Sequence, residues 1–186
     1  MSRSRGDYRI FVGAFPSGDL AERIQALRAQ YDPKTARITD PHVTIIGTYW
    51  RNGPATPENE TETRARLRDV QSQIRPFELV LGGIHAFPPA NRIIYLGVEL
   101  TDGLLAARRA LLEVIGPDKH RRFTPHLTLT MRLSKTKSQA LLAQLQKREW
   151  HTGRWAMPIS HLWLMQRGPD DPAWRYIQRL DLEDET

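Results

Sequence analysis

The chain has 186 residues, with 27 Lys and Arg against 21 Asp and Glu and no cysteine, a length suited to one compact domain or two intimate lobes. The missing cysteine excludes disulfides, thiolate catalysis and zinc–cysteine centres, and it fits a cytoplasmic protein. The net charge of +6, carried mostly by arginine, favours an anionic partner such as RNA, although a charge of this size equally suits a solvated basic surface. No run of about 18 apolar residues is present to span a membrane, and the basic Met1–Asp7 lacks the apolar stretch of a secretory signal.

In chain order, the pattern predicts a strand over 8–14, a helix over 17–30 and a strand over 42–49. A helix over about 60–74 and a strand over 77–86 follow. The second half predicts a strand over 91–100, a helix over 102–115, a strand over 126–133, a helix over 136–149 and strands over 155–166 and 173–182. Ser17 and Thr101 are the N-cap candidates of the first helix in each half. Residues 1–7 and 183–186 are expected to be flexible.

These halves repeat. Pro41-His42-Val43-Thr44-Ile45 returns 84 residues later as Pro125-His126-Leu127-Thr128-Leu129. At the same offset Tyr8–Ala14 falls on Arg92–Val98, Ser17–Leu20 on Thr101–Leu104, and Phe77–Val80 on His161–Leu164. One such match could be chance between α/β segments; four at one offset indicate an internal duplication. The expected organisation is a single domain, 1–186, with lobes built from about 8–86 and 91–182.

Proline at the first residue of a strand forfeits no needed ladder bond, so both motifs read as strand starts. Side chains alternate along a strand, which puts His42 and Thr44 on one face and Val43 and Ile45 on the other. His126 and Thr128 likewise oppose Leu127 and Leu129. Two imidazoles facing across a cleft, each beside a hydroxyl, can move protons on and off a phosphate ester while the hydroxyls bond its non-bridging oxygens. One imidazole must be charged and the other neutral, so activity should be bell-shaped against pH.

Other features are blander. His85 could approach the cleft but reads more simply as structural, and His120 sits in a basic loop without the carboxylates a metal would need. His151 and His161 carry no assigned role. Tyr49, Trp50, Trp163, Trp174 and Tyr176 could stack bases or simply fill the core. The sequence holds no phosphate-binding G-x-x-x-x-G-K-[ST] loop, no G-x-G-x-x-G and no G-x-S-x-G elbow, so an ATP-driven ligase is not expected.

The paired P-H-φ-T-φ motifs, the strand–helix opening at Ile10–Leu27, the Arg75-Pro76-Phe77-Glu78-Leu79 entry and the His161-Leu162-Trp163-Leu164 strand resemble the two-histidine (2H) phosphoesterase superfamily. The resemblance is closest to its branch of 2′-5′ RNA ligase-like, RNA 2′,3′-cyclic phosphodiesterases, and covers about residues 8 to 182. It implies a bilobal α+β fold with two antiparallel sheets lining a central cleft and helices outside. It also implies a monomer that needs no metal or cofactor and opens 2′,3′-cyclic phosphates of RNA or nucleotides to 2′-phosphates, with 2′-5′ ligation as the reverse reaction. His42 would be the proton donor and His126 the acceptor. The branch often carries arginine five residues after the second histidine; here that position is Met131, and Arg132, one residue on, is the candidate phosphate contact beside Thr44 and Thr128. An RNA-end binding module, or an enzyme for small cyclic nucleotides such as an ADP-ribose cyclic phosphate, are the alternatives.

Overall fold

The structure, a computed structural model, describes residues 8–49 and 57–183. The elements run β1 (Arg9–Ala14), α1 (Gly18–Tyr31), α2 (Pro33–Ile38), β2 (Val43–Tyr49), α3 (Pro57–Gln71), β3 (Phe77–Ala86), β4 (Ile94–Val98) and α4 (Asp102–Ile115). They continue β5 (His126–Thr130), α5 (Lys135–Leu145), α6 (Glu149–Thr152), β6 (Arg154–Ile159), β7 (His161–Arg167) and β8 (Arg175–Asp181). β3 and α4 have the bounds expected from periodicity. Thr101 caps α4 by accepting from the Leu104 N–H at 3.3 Å, whereas Ser17 makes no side-chain cap bond at α1. The helix over 33–38 was not expected, although Asp32 caps it and Pro33 opens it, an arrangement that satisfies one orphan donor and presets φ.

The strands form one antiparallel eight-stranded sheet in the order β6-β3-β4-β5-β2-β1-β7-β8. Its two four-stranded halves meet at a single register pair, Val43↔Leu127, so the two expected sheets are continuous. The halves of the sheet do not coincide with the sequence lobes 8–86 and 91–182. β3 joins β4 and β5, while β7 joins β1 and β2. Helices exchange in the same way, α1 packing on β5 and α4 on β2. The run expected as one strand, 155–166, is two strands, parted at Ser160. Only that residue separates β6 from β7, yet they stand near opposite ends of the strand order. The sheet must therefore curl back upon itself.

Val43, Ile45, Leu127 and Leu129 are at most 1 % exposed and belong to the core, together with Leu104 and Leu111 of α4 and Ile24 of α1. Arg108, buried on α4, donates to the Ile45 carbonyl and to Asp118 Oδ2, tying the loop before β5 to β2. Because Leu127 lies at the one junction between the halves, Leu127→Ala is expected to cost about 3 kcal/mol by loss of apolar burial and the cavity left behind. Chemical denaturation checks this; a cost below about 1 kcal/mol would mean that the junction is not a packing centre.

Candidate active site

The antiparallel pair Val43↔Leu127 places the two motifs head to tail at the middle of the sheet. Continuing that register by one residue in each direction sets His42 beside Thr128 and Thr44 beside His126, all on the face opposite the core. The burial pattern agrees: His42, Thr44, His126 and Thr128 are half-buried while the residues between them are fully buried. A pseudo-twofold axis thus passes between two imidazole–hydroxyl pairs.

Each ring is fixed in the same way. His42 Nδ1 lies 2.8 Å from the Asp40 carbonyl and His126 Nδ1 lies 2.7 Å from the Thr124 carbonyl, positions again 84 apart. A carbonyl only accepts, so Nδ1 donates its proton and Nε2 is left free to take or give one. Aromatic rings wall both sites. Phe11 stacks on His42 with centroids 4.5 Å apart, and Phe15 lies at 5.5 Å. His126 meets Phe87 at 4.8 Å and Tyr95 at 5.3 Å. Phe11 and Tyr95 are the same position in the two halves, a signal that the offset of 84 contained but that an apolar strand reading did not assign to the cleft.

These walls shift the electrostatics. The His42 ring lies against Phe11 and Phe15, so that although part of the residue reaches solvent, desolvation governs it. Burial pushes His42 down to about 4, opposed by its bond to the Asp40 carbonyl and aided by the charges of Arg28 and His126. His126 is also lowered, by burial first, with the Thr124 carbonyl opposing and His120 adding repulsion. Arg28, on α1, donates to Gln25 at 2.7 Å, and burial pushes its own value down to about 10. Neither Arg28 nor Asp32 was singled out from the sequence.

The sequence model of the 2′-5′ RNA ligase superfamily matches residues 16–180. The chain belongs to that superfamily. Among relatives, a Bacillus cytotoxicus protein provisionally named a phosphoesterase is 29 % identical over 145 residues, spanning 77 % of this chain and 81 % of its own. A Bacillus anthracis protein of similar provisional name is 27 % identical over 159 residues, 84 % of this chain and 87 % of its own. Among solved structures, Escherichia coli LigT in apo form superposes with a TM-score of 0.63 at 19 % identity, covering 95 % of this chain and 98 % of LigT. A crystal structure described as a phosphoesterase gives 0.66 at 17 % identity, covering 96 % and 99 %. The structural likeness establishes the fold of the superfamily for this chain: α+β, with the curled antiparallel sheet.

Within this superfamily fold, the remaining sequence candidates separate. Trp174 meets Phe11 edge-on at 4.7 Å, and Tyr176 contacts Phe15 at 5.5 Å and Trp163 at 4.9 Å, so three of the five candidate stacking residues form one patch on the His42 side. Tyr176 Oη donates to Asp40 Oδ2 at 2.6 Å. The side chain of Tyr49 and all of Trp50 lie outside the described residues. On the other side, His85 lies 5.7 Å from Tyr95, over Gly83 (φ +74) and Gly97. A Cβ at either glycine would come within 2.7 or 3.3 Å of its Nε2. His151 Nδ1 accepts from the Ile84 N–H at 3.0 Å, a satisfied structural histidine. β5 ends at Thr130, so strand alternation does not reach Arg132. The backbone N–H groups of Met131 and Arg132 turn instead onto Asp32 Oδ2, at 2.8 and 3.0 Å. Among the described residues no three His, Asp or Glu side chains gather as a metal site would require, and no helix is long and apolar enough to cross a membrane.

Proposed function

We propose that the protein is a phosphodiesterase that opens 2′,3′-cyclic phosphates of RNA ends or nucleotides to 2′-phosphates by general acid–base catalysis with His42 and His126. The observation that carries this reading is the matched pair of Nδ1–carbonyl bonds, which leaves two Nε2 atoms free beside two threonine hydroxyls on one sheet face. E. coli LigT has been crystallised with 3′-AMP, ATP and NADP+, which supports a nucleotide ligand for this fold.

In this reaction water attacks phosphorus and gives a proton to the neutral imidazole. The bond from phosphorus to the ribose 3′-oxygen breaks, and the protonated imidazole supplies that oxygen with a proton. Thr44 and Thr128 hydroxyls donate to the non-bridging oxygens as charge builds there. The resemblance gives the donor's role to His42. With His42 down at about 4, it reaches the donor form at neutral pH only when phosphate charge lies against it, so binding takes up a proton. In reverse, a 5′-hydroxyl replaces water and a 2′-5′ linkage forms, which requires no nucleotide triphosphate.

Turnover of adenosine 2′,3′-cyclic phosphate in EDTA, with the product identified as the 2′-phosphate, tests the reading. Binding without turnover would return the protein to an RNA-end module. Because kcat/KM reports groups of the free enzyme, and both imidazoles sit below their ordinary 6.5, its bell should peak between about 4 and 6.5. A peak above pH 7 in kcat/KM would show that the walls do not depress these rings. The affinity of 2′-AMP should likewise strengthen as pH falls through this range, which isothermal titration in buffers of different ionisation enthalpy reads as proton uptake.

A further inference from the structure

A cavity of about 520 Å³ lies beside the His42 wall, lined by Lys34, Arg37, Ile38, Arg132, Arg167 and Pro172. Four of its six lining residues are cations and none is an acid. Lys34, Arg37 and Arg132 make no side-chain ion pair among the described residues. Arg167 donates from Nε to the Asp171 backbone carbonyl at 3.2 Å. The flanking carboxylates are engaged elsewhere: Asp171 accepts from the Gly168 N–H at 2.7 Å and lies 3.7 Å from Arg175. Asp32 is buried under four donors from Thr35, Met131 and Arg132. Burial lowers the value of Arg167 first, then the charges of Arg9 and of the lining Arg132, with Asp171 opposing. Four like charges around one hollow, without a counter-charge lining it, are an arrangement that an anion relieves.

The cavity is joined to the histidine cleft by one residue. The Trp174 ring meets Phe11, which stacks on His42, while the Trp174 backbone N–H donates to the carbonyl of Ile38, a lining residue, at 2.8 Å. Arg9 lies over the same indole at 5.4 Å. Trp174 thus links the aromatic wall of His42 to a residue that lines the cavity.

We propose that this cavity is a second phosphate subsite, taking a backbone phosphate of the nucleotide chain whose terminal phosphate lies between His42 and His126. The inference rests on the function proposed above and narrows it: the favoured substrate carries at least one phosphate besides the one that reacts, as an oligonucleotide end does and a cyclic mononucleoside does not. It gives Arg132 a role at a neighbouring phosphate rather than at the reacting one, and it recruits Lys34 and Arg37 from the short α2 helix.

The test measures binding to oligoadenylates of one to four residues with a stable 2′-phosphate at the end, so that nothing is consumed. In wild-type protein, Kd should tighten by at least 10-fold at the length whose added phosphate reaches the cavity. The slope of log Kd against log salt should steepen there by about 0.7 for each phosphate engaged. Lys34 and Arg37 are exposed on α2, so the Lys34→Ala/Arg37→Ala variant should fold, as circular dichroism would verify. That variant should lose both the affinity step and the added salt slope, and Arg37→Glu should do the same. Equal affinity at every length, or a step that survives in both variants, would overturn the subsite. A step abolished by millimolar inorganic phosphate, with equal gain from phosphate alone, would assign the cavity to a free anion and also overturn it. Separate assay of the cyclic mononucleoside keeps the two readings apart: turnover without a length step sinks only the subsite, and a length step without turnover sinks only the phosphodiesterase.

Discussion

Alanine at His42 or at His126 should lower turnover of a 2′,3′-cyclic phosphate by roughly 10²–10⁴-fold, the usual contribution of a positioned acid or base. The two losses should not add. Once one imidazole is gone the concerted proton movement has failed, so the double variant is expected near the worse single variant, with the residue of activity coming from the threonine hydroxyls and binding. Neither substitution should unfold the protein, because both residues lie on the cleft face and not in the core formed by Val43, Ile45, Leu127 and Leu129. The roles can also be told apart. A substrate whose leaving group is an aryl oxide needs little protonation, so it should recover most activity in the variant lacking the donor and none in the variant lacking the base. Rates equal to wild type in either alanine variant would remove that histidine from the mechanism.

The second large effect is structural. Asp32 stands between α1 and α2 at 3 % exposure, and its carboxylate accepts from Thr35 N, Thr35 Oγ1, Met131 N and Arg132 N. These bonds fasten the turn after β5 to a residue about a hundred positions earlier. Asp32→Ala leaves those buried or half-buried donors without an acceptor, and about 3–5 kcal/mol of stability should go with it. Asp32→Asn should be nearly as costly, since half of its amide is a donor facing donors. Burial alone would raise the carboxyl, but the bonds from Met131, Thr35 and Arg132 outweigh it and hold the group below the usual carboxylate value. A depressed folded value means that the stabilisation is whole above the unfolded value, near 3.9, and is lost as pH falls through the lower folded value. Urea unfolding from pH 7 to pH 2.5 should therefore show a steep acid limb in wild type that flattens in Asp32→Asn. Parallel acid limbs would show that another carboxylate governs.

Much of this arrangement could be read before any coordinates. The motif pair, the faces of its strands and the offset of 84 follow from alternation and repetition, and these are local properties. What could not be read were partnerships between distant segments. Periodicity shows which face of β3 is apolar but not that the strand crosses to β4, so the lobes came out as halves of the sequence. The Asp32 carboxylate carries no signal of its role in the sequence, because the Met131 and Arg132 amides that make it a hub lie about a hundred residues away. Alternation ends with β5 at Thr130, two residues short of Arg132, and the Asp32 anchor on the Met131 and Arg132 amides is a long-range contact. The run 155–166 is mostly apolar on both sides of Ser160, so the sequence reads it as one strand, and the passage from β6 to β7 at that residue is set by tertiary pairing. Phe11 and Tyr95 were visible as matched apolar positions, but only the fold shows that they lie on the cleft side, against the histidine rings.

The central claim is that His42 and His126 address one phosphate. Imidazole ¹⁵N resonances, followed while 2′-AMP is titrated into the protein, measure this directly. Both Nε2 signals should move together along a single saturation curve, with one Kd and with a rise in the titration midpoint of each ring. If only one ring responds, or if the two saturate at different concentrations, the imidazoles do not share a phosphate and the account fails.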